Sequence, residues 1–316
     1  MMDREHRTSP HNMGNEHYPS LFRSADVVSG AAQKTYLLLQ RMHLGSLVLA
    51  STIAAFTALA TNTFSTGLHS AIAIVLVLGL LILWIARSRQ DDKAWFDGRA
   101  IAESVKTATW RFMMNAQPFQ TNDTVEDRLV SELREIRQAR PDFGKRLAGV
   151  MDSNASEITD FMRQIRSASS DERKGFYIES RVRNQKSWYS HKAKTNAKSG
   201  ARWFWATAGL QAIAVTTAII QAVTGGLGFN VVPVLTTCAA AVAAWSQMKR
   251  HDELAQAYAL AAQELGELES LANNPNILGE FSQFVEQVEE TISREHTMWC
   301  ARRDVGLSRR TGDRTR

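Results

Sequence analysis

Two stretches of the chain contain no Asp, Glu, Lys or Arg. They are Met42 to Ala86, with only His43 and His69 titratable, and Trp203 to Met248, which has no histidine either. In a chain that is 22% charged, uncharged runs of about 45 residues are too long for an ordinary soluble core element. Each run has a weak middle, Thr61 to Gly67 in the first and Thr224 to Asn230 in the second. The break leaves segments of roughly 17 to 21 residues, the length that carries a helix across hydrocarbon about 30 Å thick. The pattern predicts an all-α integral membrane protein with two two-helix transmembrane hairpins. Its four spans are expected at about 44–61, 68–86, 203–223 and 231–248.

Charge sets the expected orientation. Lys34 and Arg41 precede the first span, Arg87 and Arg89 follow the second, and Lys192, Lys194, Lys198 and Arg202 lead into the third. Lys249 and Arg250 close the fourth, and neither turn carries a charge. By the positive-inside rule both termini and the segment 87–202 are cytoplasmic, in a multi-pass protein of the inner membrane. Trp203 and Trp205 suit the interface. The net charge of +5 then reflects membrane orientation; no nucleic-acid motif accompanies it. Cys238 and Cys300 give no disulfide framework. Residues 1–30 have neither an apolar run nor an obvious period, so they read as a disordered segment without a cleavable signal. Residues 305–316 read as a basic tail.

Outside the two runs the chain reads as charged helices, expected to pack as one cytoplasmic layer beneath the membrane. Helices are expected over 95–116, 124–137 (capped by Asn122 or Asp123), 156–166, from 171 unbroken into the third span, 251–272 and 278–303. Arg99, Glu103, Lys106 and Trp110 share one face, as do Tyr177, Arg181, Gln185, Trp188 and Lys192. Glu289 and Glu290 read as a solvated face. Within the spans, Ser46, Ala50, Ala54, Thr57 and Thr61 form one stripe. Thr207, Gln211, Ala214, Ala218 and Gln221 form another. Ser46, Thr57, Thr61, Thr207, Gln211 and Gln221 are the candidate pore-lining or helix-contact residues, because polar groups are expensive toward lipid.

The two halves are related. Arg89-Gln90-Asp91-Asp92 after the second span matches Arg250-His251-Asp252-Glu253 after the fourth, so the repeat is parallel rather than inverted. Two modules are expected, at 31–150 and 151–304. Nucleotide-binding loops, nucleophile elbows and zinc spacings are missing from the sequence. His296 and Cys300, four apart, have no second pair to complete a metal site. The expectation is a protein that is not an enzyme and uses no cofactor or metal.

Three stretches carry a resemblance. One is Gly98 to Lys106 with Trp110 and Pro118-Phe119. Another is Tyr177, Arg181-Val182, Gln185, Trp188-Tyr189, Lys192-Ala193 and Asn196, and the third is Glu289, Glu295-His296 and Trp299. Their order around two hairpins resembles the SLATT family, two-transmembrane domains associated with bacterial nucleotide-signalling conflict systems, here in two tandem copies. The resemblance implies a membrane effector of antiphage defence that oligomerises into a gated pore or disrupts the membrane. It also implies a trigger from a nucleotide second messenger or a sensor protein encoded elsewhere. It marks Arg99, Glu103, Lys106, Trp110, Arg181, Gln185, Trp188, Glu295 and Trp299 as motif residues that pack the helices. The competing expectation is a non-conducting scaffold whose cytoplasmic helices recruit a soluble partner.

Overall fold

The computed structural model describes residues 13–60, 62–120, 124–150, 156–224, 230–272 and 281–293, and the regular structure among them is all helical. In chain order the helices are α1 (Ser20–Phe56), α2 (Asn62–Arg89), α3 (Asp91–Met113), α4 (Val125–Gln138), α5 (Gly144–Leu147), α6 (Asp160–Ser167) and α7 (Ser170–Tyr177). A π-helix, Ile178–Arg183, joins α7 to α8 (Asn184–Thr224), and α9 (Val232–Lys249) and α10 (His251–Ala272) follow. A last helix, α11, covers residues 281–293. The chain divides into two compact units, and neither belongs to one half of the repeat. One draws on 33–91 and 193–256, the other on 1–32, 92–192 and 257–316.

The first of these is the apolar unit. Its large side chains point outward: Leu80 is 64% and Trp84 68% exposed on α2, and Ile219 is 59% exposed on α8. A soluble monomer does not sustain such a surface, whereas lipid accepts it. Among the described residues, three helical stretches, Ser20–Phe56, Phe64–Met113 and Ser170–Thr224, are long and apolar enough to cross a membrane. The alanine-rich α9 is not among them. The first span ends at Phe56 rather than Thr61, and α2 already begins at Asn62. Most of the expected first turn is therefore helix. The glycine-rich second turn lies outside the described residues.

Inside this unit α1 and α2 touch where Gly79 removes a side chain. A Cβ there would stand 2.5 Å from Ser46 Oγ, so a larger residue would have to turn that hydroxyl away. Thr237 Oγ1 donates to Ser51 Oγ at 3.3 Å, and the Arg41 guanidinium lies 4.7 Å from the centre of the Trp245 ring. Rising numbers on α1 meet falling numbers on α9, which makes that pair antiparallel.

Helices α2 and α9 end in the same backbone device. Gln90 (φ 48°) between α2 and α3, and Arg250 (φ 50°) between α9 and α10, adopt the left-handed conformation that favours glycine. A charged helix starts at once beyond each. The structural repeat thus pairs Gln90 with Arg250, one residue away from the register read off the sequence.

The second unit holds the larger core. Its first correction concerns the N-terminus: α1 starts at Ser20, and Tyr18, Leu21, Phe22, Ala25 and Val28 are buried. Residues 18–30 are thus not disordered, because their apolar side chains recur at helical spacing among Ser, Arg and Asp. The Glu157 carboxylate accepts from Ser20 Oγ at 2.5 Å and from the Leu21 N–H at 3.2 Å, capping α1. Gly98 lets α3 approach α1: a Cβ there would lie 2.9 Å from both Ser29 Cβ and Phe143 Cζ. The helix expected over 156–166 starts at Asp160 under a Thr159 cap, and α7 opens with a capping box between Ser169 and Glu172. Asn122 and Asp123 lie outside the described residues, and Thr124 holds the cap position of α4.

Candidate functional site

In the charged unit, α3 presents Thr107 and Trp110 to the core, while the π-helix delivers Arg181 and α11 delivers Glu289. Arg181 is 1% exposed and Glu289 fully buried. The guanidinium grips the carboxylate with two bonds, Nε to Oε1 at 2.8 Å and Nη2 to Oε2 at 2.6 Å. Such parallel, charge-assisted bonds are the strongest a side-chain pair makes. Two neutral donors complete the carboxylate's shell: Tyr177 OH to Oε1 at 3.0 Å and Thr107 Oγ1 to Oε2 at 2.9 Å. Trp110 Nε1 donates to the Tyr18 hydroxyl at 3.0 Å, and the Arg181 guanidinium lies 5.8 Å from the Trp110 ring centre. Four distant parts of the chain thus meet around one ion pair.

The electrostatics follow from burial. Desolvation works against the Arg181 cation, but Glu289 outweighs it and holds the guanidinium firmly protonated. Burial drives the Tyr18 and Tyr177 hydroxyls well above the usual phenol range, so both stay neutral, Tyr177 donating to Glu289 and Tyr18 accepting from Trp110. Lys106 faces the Tyr18 and Phe22 rings at 5.9 and 6.0 Å. Its amine is pushed below the usual lysine range, first by burial and then by the nearby cations Arg181 and Arg99, against the pull of Glu103. A base with a depressed pKa opposes folding while the unfolded chain holds the proton, so its contribution to stability improves as pH rises toward the unfolded lysine pKa.

The motif residues assemble largely as packing. Arg99 pairs with Glu103 at 3.1 Å one turn along α3. Trp110 is 1% exposed. Trp188 is half-buried against the core, edge-on to Tyr189 and Tyr258, with Lys192 Nζ 5.7 Å from its ring centre. Gln185 is half-buried. Glu295 and Trp299 lie outside the described residues, as does Thr61.

The membrane candidates do not gather in one place. Ser46 Oγ donates to the His43 carbonyl at 2.7 Å and faces Gly79. Thr57 and Thr207 donate to their own helix carbonyls, Ala54 at 2.7 Å and Trp203 at 3.0 Å. Gln221 is half-buried and Gln211 exposed.

Glu289 departs from the solvated face expected of it and Glu290. Glu290 is exposed, but Glu289 is buried beside Val285 and Val288. The signal was its place, four residues after Val285 and next to Val288, within the apolar stripe of α11. Tyr18, in the stretch expected to be disordered, was missed for want of any visible period before it.

Two family models match the chain. SMODS and SLOG-associating 2TM effector domain 3 matches residues 19–174, and SMODS and SLOG-associating 2TM effector domain 1 matches residues 177–299. The matches meet at α7, further along than the division expected at residue 150. Tyr18, Thr107 and Trp110 thus lie in or beside the first match, and Tyr177, Arg181 and Glu289 in the second. No curated protein and no solved structure matches the chain.

Proposed function

The chain belongs to the SLATT family, with two of its domains in tandem, and from that membership we propose that it is a membrane effector of a bacterial conflict system. In this reading, α1, α2, α8 and α9 cross the inner membrane as two hairpins. The charged helices stay on the cytoplasmic side, and several copies assemble into a gated pore. The observation that carries it is Gln211. This amide is exposed on α8 while its neighbours Ile213, Val215 and Ile219 are exposed apolar side chains. An unsatisfied amide facing hydrocarbon costs several kcal/mol, so Gln211 calls for water or a second copy beside it. The trigger would be a nucleotide signal or a sensor protein acting on the cytoplasmic helices.

A scaffold that recruits a soluble partner is the second reading. It is favoured by Ser46, which serves a close helix contact, and by Thr57 and Thr207, whose hydroxyls are returned to their own helices. Leakage and conductance of the purified protein in lipid vesicles and planar bilayers separate the two. The pore reading expects wild-type conductance, and an inserted, intact oligomer of Gln211→Leu in which it is altered several-fold. Loss of the oligomer itself would make Gln211 an interhelical contact. A wild-type oligomer that inserts and never conducts would leave the scaffold.

A further inference from the structure

The π-helix between α7 and α8 sits in an otherwise continuous helical run from Ser170 to Thr224. Its flanking residues have ordinary helical angles, Tyr177 at φ −64°, ψ −48° and Asn184 at φ −61°, ψ −49°. Helical winding thus continues on both sides of the segment, which itself carries one residue more per turn than an α-helix. Isolated π segments are rare and need an outside reason to persist. Here the reason is visible. Ser180, Arg181 and Val182 are buried in succession, and Arg181 is held bidentately by Glu289 of α11. Thr107 of α3 bonds the same carboxylate. The hold is incomplete, since Arg181 Nη1 is buried without a hydrogen-bond partner. Such a turn is a stored register error, kept by contacts that α3 and α11 control.

We propose that the Arg181–Glu289 pair is a latch on the rotational register of α8. Releasing it lets the π turn relax to α-helix, and every residue beyond it turns by about 100° and advances about 1.5 Å, one α-helical step. Each residue then takes the place of the next. Ala214, 4% exposed, is an inward residue of α8, and Ile213 is 55% exposed. After release Ile213 faces inward and Ala214 outward, and the Gln211 face turns with them. The device deepens the effector reading by naming its control. It rests on that reading only for its purpose, because the rotation is measurable whether or not the protein conducts.

The test uses full-length protein in lipid vesicles with Cys238 and Cys300 changed to serine. Spin labels at 213 or 214, each introduced through a single cysteine, report accessibility to oxygen. With the latch intact, the label at 214 is shielded and that at 213 accessible. In the double variant R181M/E289L, which replaces the pair by apolar side chains of similar size, the two labels are expected to exchange roles. Deleting Glu179 in that background removes the surplus residue and should restore the original pattern, because a continuous α-helix one residue shorter keeps the downstream register. Glu289→Gln, a milder release, should show both patterns together. A label at 214 that stays shielded in the helical double variant overturns the latch. So does a single unchanged pattern in Glu289→Gln, which decides the matter if the double variant does not fold. A deletion that fails to restore the pattern overturns it as well.

Discussion

Glu289→Ala is expected to destabilise the protein by about 3–5 kcal/mol, because it leaves the Arg181 cation buried without its counter-charge. Arg181 is 1% exposed, so water cannot replace the lost carboxylate without opening the core. The substitution also removes the acceptor of Tyr177 OH and Thr107 Oγ1, bonded at 3.0 and 2.9 Å. Chemical denaturation in mild detergent, followed by helical circular dichroism, measures the loss. R181M/E289L should lose less than Glu289→Ala, because it leaves no buried charge without its counter-charge. A Glu289→Ala variant as stable as the unaltered protein would mean that the pair is solvated.

Trp110→Ala should cost a comparable amount, about 3–5 kcal/mol, from the cavity left by a fully buried indole. Trp110 is 1% exposed and packs on Phe176 and Tyr177, with ring centres 5.6 and 5.7 Å away. Trp110→Phe keeps much of that packing but takes the Nε1–H from the Tyr18 hydroxyl, a loss of about 1–3 kcal/mol for a buried polar group left short of a partner. The order Trp110→Ala well below Trp110→Phe in the same denaturation experiment is the expected result. Equal losses would place the energy in the hydrogen bond rather than in packing.

The helical class and the apolar segments were legible because charge is absent over lengths that a folded core does not require. The Trp110 and Arg181 stripes were legible because helical spacing alone brings such residues to one face. Other features were not. The burial of Glu289 was not legible because a Glu-Glu pair suggests solvent, and only its partner across 108 positions explains why one of the two is inside. The π turn leaves no mark on a helical pattern beyond one surplus residue, which steps of three and four absorb. The left-handed backbone at Gln90 and Arg250 was hidden because neither residue is the glycine or asparagine that usually signals positive φ. The N-terminal start of α1 was missed because Tyr18, Leu21, Phe22 and Ala25 are scattered among polar residues, and their period appears only once the core they enter is known.

The central claim is that the charged helices of both repeats share one side of a membrane crossed by the apolar helices. Cysteine labelling of intact cells with an impermeant reagent tests it most directly, using single cysteines in place of Thr66 and Asp127. Thr66 lies in the first turns of α2 and Asp127 at the start of α4. Labelling at 66 but not at 127, with 127 becoming reactive once the membrane is permeabilised, is the predicted result. Labelling at 127 in intact cells would contradict it.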